Sequence, residues 1–111
     1  MNIGILEYMN VKEMRRSAGS ASELMKILAN ENRLMILCQL VDGEKSVGEL
    51  VELLDLSQPT VSQQLSRMKN QGLVSYRKNA QTVYYSLEGE AAQKVITVLY
   101  ELYCEQPNKG S

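Results

Sequence analysis

The chain has 111 residues, the length of one domain with a modest core that gains burial by pairing with a second copy. Hydrophobic residues make up 44% and charged residues 23% of it, with a net charge of −1, the balance of an ordinary soluble protein. It has no histidine and two cysteines, Cys38 and Cys104, which removes the commonest transition-metal ligand and speaks against a disulfide framework.

No run approaches the ~18 to 20 apolar residues of a membrane span. Met1 to Asn10 carries Glu7 and no basic start, unlike a secretory signal, so the expected location is the cytoplasm and no membrane partner is expected. The chain reads as an N-terminal extension over residues 1–9, a domain over 10–104 and a loose polar tail over 105–111.

Val11, Met14, Ala18, Ala21, Met25 and Leu28 recur at steps of three and four, the stripe of an amphipathic helix. Asn10 with Glu13 makes a capping-box pattern at its start, and Gly19-Ser20 is expected to break or bend it. Asn30 is the next capping residue, and Asn32 to Val41 reads as a helix with Leu34, Leu37, Cys38 and Val41 on one face, ended by Asp42-Gly43. Ser46-Val47-Gly48-Glu49 is a second capping box, opening a short helix through Leu54. Leu56-Ser57-Gln58-Pro59 makes a tight connection, with proline suited to a first helical turn and Gln58 biased away from helical geometry. The helix that follows turns Val61, Leu65 and Met68 inward and stops at Gly72. The period then changes: Leu73 to Lys78 and Thr82 to Leu87 are rich in Val, Tyr, Ser and Thr around a polar link, the pattern of a β-hairpin. A last helix runs from Gly89 to Cys104, apolar around most of its circumference except for Gln93, Lys94, Thr97 and Glu101. A helix of that kind is buried on two sides, one against its own core and the other against a second subunit.

Two short helices and a hairpin, in that order, predict a mainly α winged helix-turn-helix with its reading element between Ser46 and Leu87. The charge distribution agrees. Leu56 to Leu87 contains no acidic residue and carries Arg67, Lys69, Arg77 and Lys78, and a polyanion senses this local potential rather than the whole-chain sum. The second helix offers Ser57, Gln58, Thr60, Ser62, Gln63, Gln64 and Arg67, groups that match base edges in a major groove. Arg67 and Lys69 fall where phosphate contact is expected. Arg77, Lys78, Asn79 and Gln81 would touch the backbone or adjoining minor groove from the hairpin. These residues are the candidate DNA-binding set.

Leu56-Ser-Gln-Pro-Thr-Val-Ser-Gln-Gln-Leu65, Gly72-Leu73-Val74, Val83-Tyr84-Tyr85-Ser86-Leu87 and the upstream Leu28-Ala29-Asn30-Glu31-Asn32-Arg33-Leu34 together resemble the ArsR/SmtB family of bacterial repressors, over roughly Ser22 to Cys104. The resemblance implies a homodimer built through the first and last helices and a dyad-symmetric DNA operator. Cys38 in Leu34-Met-Ile-Leu-Cys38 and Cys104 in Leu99-Tyr-Glu-Leu-Tyr-Cys104 resemble the redox-sensing dithiol of the sulfide- and persulfide-responsive branch. That resemblance implies a repressor released from DNA when reactive sulfur species or oxidants link the pair through a disulfide or longer polysulfide.

Metal sensors of the family use cysteines before the recognition helix or histidines on the last one, and this chain has neither. No metal and no cofactor is expected; a thiophilic metal or metalloid sensor is the weaker alternative, short of a third ligand. An anti-repressor that displaces a silencing protein would have the same sequence features. Two isolated cysteines without histidine, phosphate loop or paired carboxylates form no catalytic set, so no enzymatic activity is expected.

Overall fold

The computed structural model describes residues 10–103, which fall into two units divided between Asn30 and Glu31. In the first, helix α1 (Val11–Leu28) starts from a reciprocal capping box. The Asn10 side chain accepts from the Glu13 amide at 2.8 Å, and the Glu13 carboxylate accepts from the Asn10 amide at 3.2 Å. The expected break at Gly19-Ser20 does not occur. One glycine costs a helix only about 1 kcal/mol, Ala18 and Ala21 favour helix, and nothing lies within 4 Å of the position a Gly19 Cβ would take. Of the apolar stripe, Leu28 is buried while Val11, Met14 and Met25 are exposed.

The second unit contains α2 (Glu31–Gln39), a 3-10 turn (Leu40–Asp42), β1 (Lys45–Ser46), α3 (Val47–Leu54), α4 (Gln58–Asn70), β2 (Val74–Asn79), β3 (Thr82–Leu87) and α5 (Glu90–Tyr103). The α-helix expected to reach Val41 ends at Gln39, because the chain tightens into the 3-10 turn before Gly43, at φ 138°. Strand β1 escaped the sequence reading, since two residues show no alternation. It pairs antiparallel with β3, giving a three-stranded sheet in the order β1-β3-β2.

The core is a set of rows at helical spacing. Ile36 and Leu37 of α2, Leu50 of α3, Val61, Leu65 and Met68 of α4, and Ile96 of α5 are fully buried, each burial stabilising by roughly 1.5–3 kcal/mol. Val74 anchors the first residue of the hairpin to the same core.

Both ends of α4 are fixed by local chemistry. Ser57 caps its start and Pro59 sits in the first turn; Gln58 is nevertheless helical, the bias from the following proline yielding to that cap. At the other end Leu73 N–H bonds the Met68 carbonyl at 2.9 Å and Gly72 N–H bonds that of Lys69 at 3.0 Å, a Schellman ending. It requires the left-handed φ of 79° that Gly72 adopts. Gly89, also at positive φ, passes so close that an added Cβ would stand 3.4 Å from the Gly72 carbonyl oxygen, which ties the exit of the hairpin to the end of α4.

Candidate nucleic-acid interface

Helices α3 and α4 are joined by the three residues Asp55 to Ser57, with Asp55 in a left-handed conformation at φ 55°. Asp tolerates that conformation better than most residues, so the turn closes tightly without glycine. Ser46 opens α3 with the second capping box, its hydroxyl accepting from the Glu49 amide at 3.1 Å.

Burial of Val61, Leu65 and Met68 fixes which side of α4 faces outward. Gln63 and Ser66 lie opposite that row by helical spacing and are exposed, as are Ser57, Gln58, Arg67 and Lys69. Thr60, Ser62 and Gln64 are half-buried on the flanks. Several predicted readers already have partners. Ser57 Oγ accepts from the Thr60 amide at 3.2 Å and donates to Thr60 Oγ1 at 2.8 Å, so its hydroxyl is a cap. Gln64 Oε1 accepts from Arg33 Nη1 of α2 at 3.3 Å.

The hairpin carries a different set on each face. Its register sets Arg77 opposite Tyr84 and Tyr76 opposite Tyr85, and successive residues point to opposite sides. On one face the Arg77 guanidinium lies 4.8 Å from the Tyr84 ring centroid. Its Nε donates to Glu44 Oε1 at 2.9 Å, and Nη2 donates to Glu44 Oε2. The paired guanidinium holds the Glu44 carboxyl below its ordinary pKa, and the carboxylate raises that of Arg77. Glu44 was not among the predicted site residues; it stood in an acidic run outside the basic block, and no sequence period links it to Arg77.

On the other face Tyr76 and Tyr85 stack obliquely, centroids 5.6 Å apart, and Lys69 Nζ at the end of α4 sits 5.3 Å from the Tyr76 ring. Burial, and then the neighbouring Tyr76, raises the Tyr85 phenol pKa. Lys78 shares this face with Tyr76 by alternation, and Lys78, Asn79 and Gln81 are exposed around the two-residue loop Ala80-Gln81.

Cys38 is half-buried on α2. It lines an apolar cavity of about 350 Å³ with Leu34, Met35, Leu54, Leu99 and Tyr103, and Glu31 and Gln39 complete the wall. Cys104, the other predicted sensing residue, lies outside the described residues, directly after Tyr103 in sequence. Among the described residues no three of His, Cys, Asp or Glu converge on one point, and no helix is long and apolar enough to cross a membrane.

Helix, three-residue turn, a second helix with an amide- and hydroxyl-rich outer side, and a hairpin tied to that helix's end define a winged helix-turn-helix protein. The model of bacterial regulatory proteins of the arsR family matches residues 30–76. The transcriptional activator HlyU of Vibrio cholerae serotype O1 is 47% identical over 97 residues, covering 87% of this chain and 90% of that protein. The biofilm growth-associated repressor of Xylella fastidiosa strain Temecula1 is 36% identical over 110 residues, covering 99% of this chain and 96% of that one. The structure of reduced HlyU from Vibrio cholerae N16961 superposes with a TM-score of 0.81 at 46% identity, covering 86% of this chain and all of its own. The chain belongs to the arsR family of transcriptional regulators.

Proposed function

We propose that this protein is a homodimeric, DNA-binding transcriptional repressor whose hold on a dyad-symmetric operator is weakened when reactive sulfur species or oxidants join Cys38 to Cys104. The observation that carries the sensing half is the apolar cavity shared by Cys38 and Tyr103, the latter being the residue before Cys104. The cavity offers a small sulfur donor a mostly apolar approach to Cys38. The Cys38 thiolate attacks the outer sulfur of an organic persulfide, giving a Cys38 persulfide and releasing the donor as its thiolate. The Cys104 thiolate then displaces hydrosulfide and closes the disulfide. The donor's sulfane sulfur is the oxidant and leaves reduced.

The dimer reading is supported by apolar side chains left exposed on both terminal helices of the single chain: Val11, Met14 and Met25 on α1, and Val98, Leu102 and Tyr103 on α5. Two recognition helices in a dimer must meet half-sites about one helical turn apart, ~34 Å, so a bridge that shifts α2 against α5 acts on DNA at a distance. A coupling of ~1–3 kcal/mol, 5- to 150-fold in affinity, is the usual size of such an effect.

Gel shifts of the reduced protein before and after an organic persulfide, with intact-mass measurement, test this. The expected result is a fall in affinity together with an intramolecular Cys38–Cys104 link carrying zero or more added sulfurs. Cys38→Ser and Cys104→Ser proteins that respond like the wild type would refute it. A second reading is favoured by the name of one relative, a transcriptional activator: the protein raises transcription by displacing a silencing protein. Deleting the gene separates the two, since target transcripts rise if it represses and fall if it displaces a silencer.

A further inference from the structure

The recognition helix carries Gln63 and Gln64 side by side, and the structure treats them differently. Gln63 is exposed opposite the buried row of α4, whereas Gln64 is half-buried on its flank, within reach of Arg33 of α2. Arg33 is itself half-buried, and its Nη1 donates to Gln64 Oε1 at 3.3 Å. A glutamine amide has one accepting oxygen and one donating NH2 group on opposite sides of a planar carbon. A charged donor on the oxygen side therefore directs Oε1 toward α2 and Nε2 away from it. Bidentate recognition of adenine needs both atoms turned to the base edge, the oxygen accepting from N6 and the nitrogen donating to N7. Oε1 has two lone pairs, so Arg33 takes one and leaves the other beside Nε2 in a single fixed orientation.

We propose that Arg33 is a positioning residue for DNA recognition: it fixes the plane of the Gln64 amide, so that Nε2 and the remaining Oε1 lone pair meet a base edge in one orientation. The proposal rests on the reading of α4 as the DNA-reading helix. It goes beyond that reading by dividing the two glutamines into an adaptable reader, Gln63, and a reader of fixed orientation, Gln64. Arg33 acts from outside the recognition helix and need not touch DNA itself. The contact also links the helix that bears Cys38 to the reading surface by a charged hydrogen bond, which is stronger than a neutral one.

The test uses the full-length protein. The preferred duplex is selected from a randomised library, and affinities are then measured by fluorescence anisotropy for each single base-pair change, in wild type, Gln64→Ala, Arg33→Met, Arg33→Lys and the Arg33→Met/Gln64→Ala double variant. Gln64→Ala and Arg33→Met should weaken discrimination at the same base pair, by roughly five- to tenfold, the size of one base-edge contact. The double variant should lose no more than Gln64→Ala alone, because Arg33 acts through Gln64, and Arg33→Lys should retain part of the preference. Uniform weakening for every duplex, the mark of a phosphate contact, overturns the proposal, as do additive losses in the double variant. Should Arg33→Met fail to fold, Gln64→Ala still decides: an unchanged base profile overturns the proposal. If wild type enriches no duplex at all, the reading of α4 fails and the proposal with it; enrichment by wild type with unchanged profiles in the variants overturns the proposal alone.

Discussion

Glu44 and Arg77, separated by 33 positions in sequence, grip each other through two hydrogen bonds while the Arg77 guanidinium also lies over Tyr84. This joins the segment before β1 to the far strand of the sheet, across β3. The wing is therefore held by a charged clasp on one face and by the Lys69–Tyr76–Tyr85 stack on the other. Glu44→Gln should speed hydrogen exchange of β2 and β3 amides while leaving the unfolding midpoint almost unchanged, because exposed ion pairs add little to global stability. The pH dependence has a definite sign. The Glu44 carboxyl titrates lower in the folded protein than in the unfolded chain, so the clasp contributes fully above the ordinary carboxylate range and is lost as pH falls through the depressed folded value. Wing protection factors, taken relative to the intrinsic exchange rate at each pH, that stay constant across that window would contradict the assignment.

The same clasp separates two adjacent cations. Arg77 has two donating nitrogens engaged by Glu44, while Lys78 stands exposed on the opposite face. Lys78→Ala should lower affinity for all duplexes and reduce the slope of log K against log salt by about 1, the loss of one phosphate contact. Arg77→Ala should change that slope less. Gln63→Ala should instead relax base preference and leave the slope alone. Equal slope changes for all three would refute the division.

Helix α4, the candidate DNA-reading helix, also carries the centre of the core. Leu65 is fully buried, and Leu65→Ala should destabilise by about 2–5 kcal/mol in urea unfolding. Ser57→Ala removes the acceptor for the Thr60 amide and should cost about 1 kcal/mol. It should also weaken DNA binding, since the first turn of α4 would fray. A Ser57→Ala protein as stable as wild type would show that the cap contributes nothing.

The wing loop holds a correctable strain. Ala80 has φ 59° at the first position of a two-residue hairpin loop, where glycine is the favoured residue because a Cβ is unfavourable in that region. Ala80→Gly should raise stability by about 0.5–1 kcal/mol, the left-handed penalty less the greater freedom of glycine in the unfolded chain. A lower unfolding midpoint would count against the strain.

The periodic features were legible in the residues themselves. The Asn10–Glu13 and Ser46–Glu49 capping boxes, the inward row Val61, Leu65 and Met68, the stop at Gly72 and the hairpin of Tyr- and Val-rich runs all appear where spacing and turn chemistry place them. Each depends on contacts within a few residues, so sequence alone determines it. The expected break at Gly19-Ser20 did not occur, because one glycine costs a helix only about 1 kcal/mol and the flanking Ala18 and Ala21 favour helix.

The stretch between Ser46 and Leu87 was likewise legible in its own sequence, as two short helices and a hairpin with no acidic residue from Leu56 onward. What the tertiary structure alone decided is which of its polar groups are available. Gln64 Oε1 accepts from Arg33, 31 positions earlier, and Arg77 is clasped by Glu44. Both are pairings between side chains distant in sequence, which no local period encodes. The placement of Cys38 beside Leu99 and Tyr103 of α5 arises in the same way, because helices far apart in the chain meet only when the core closes.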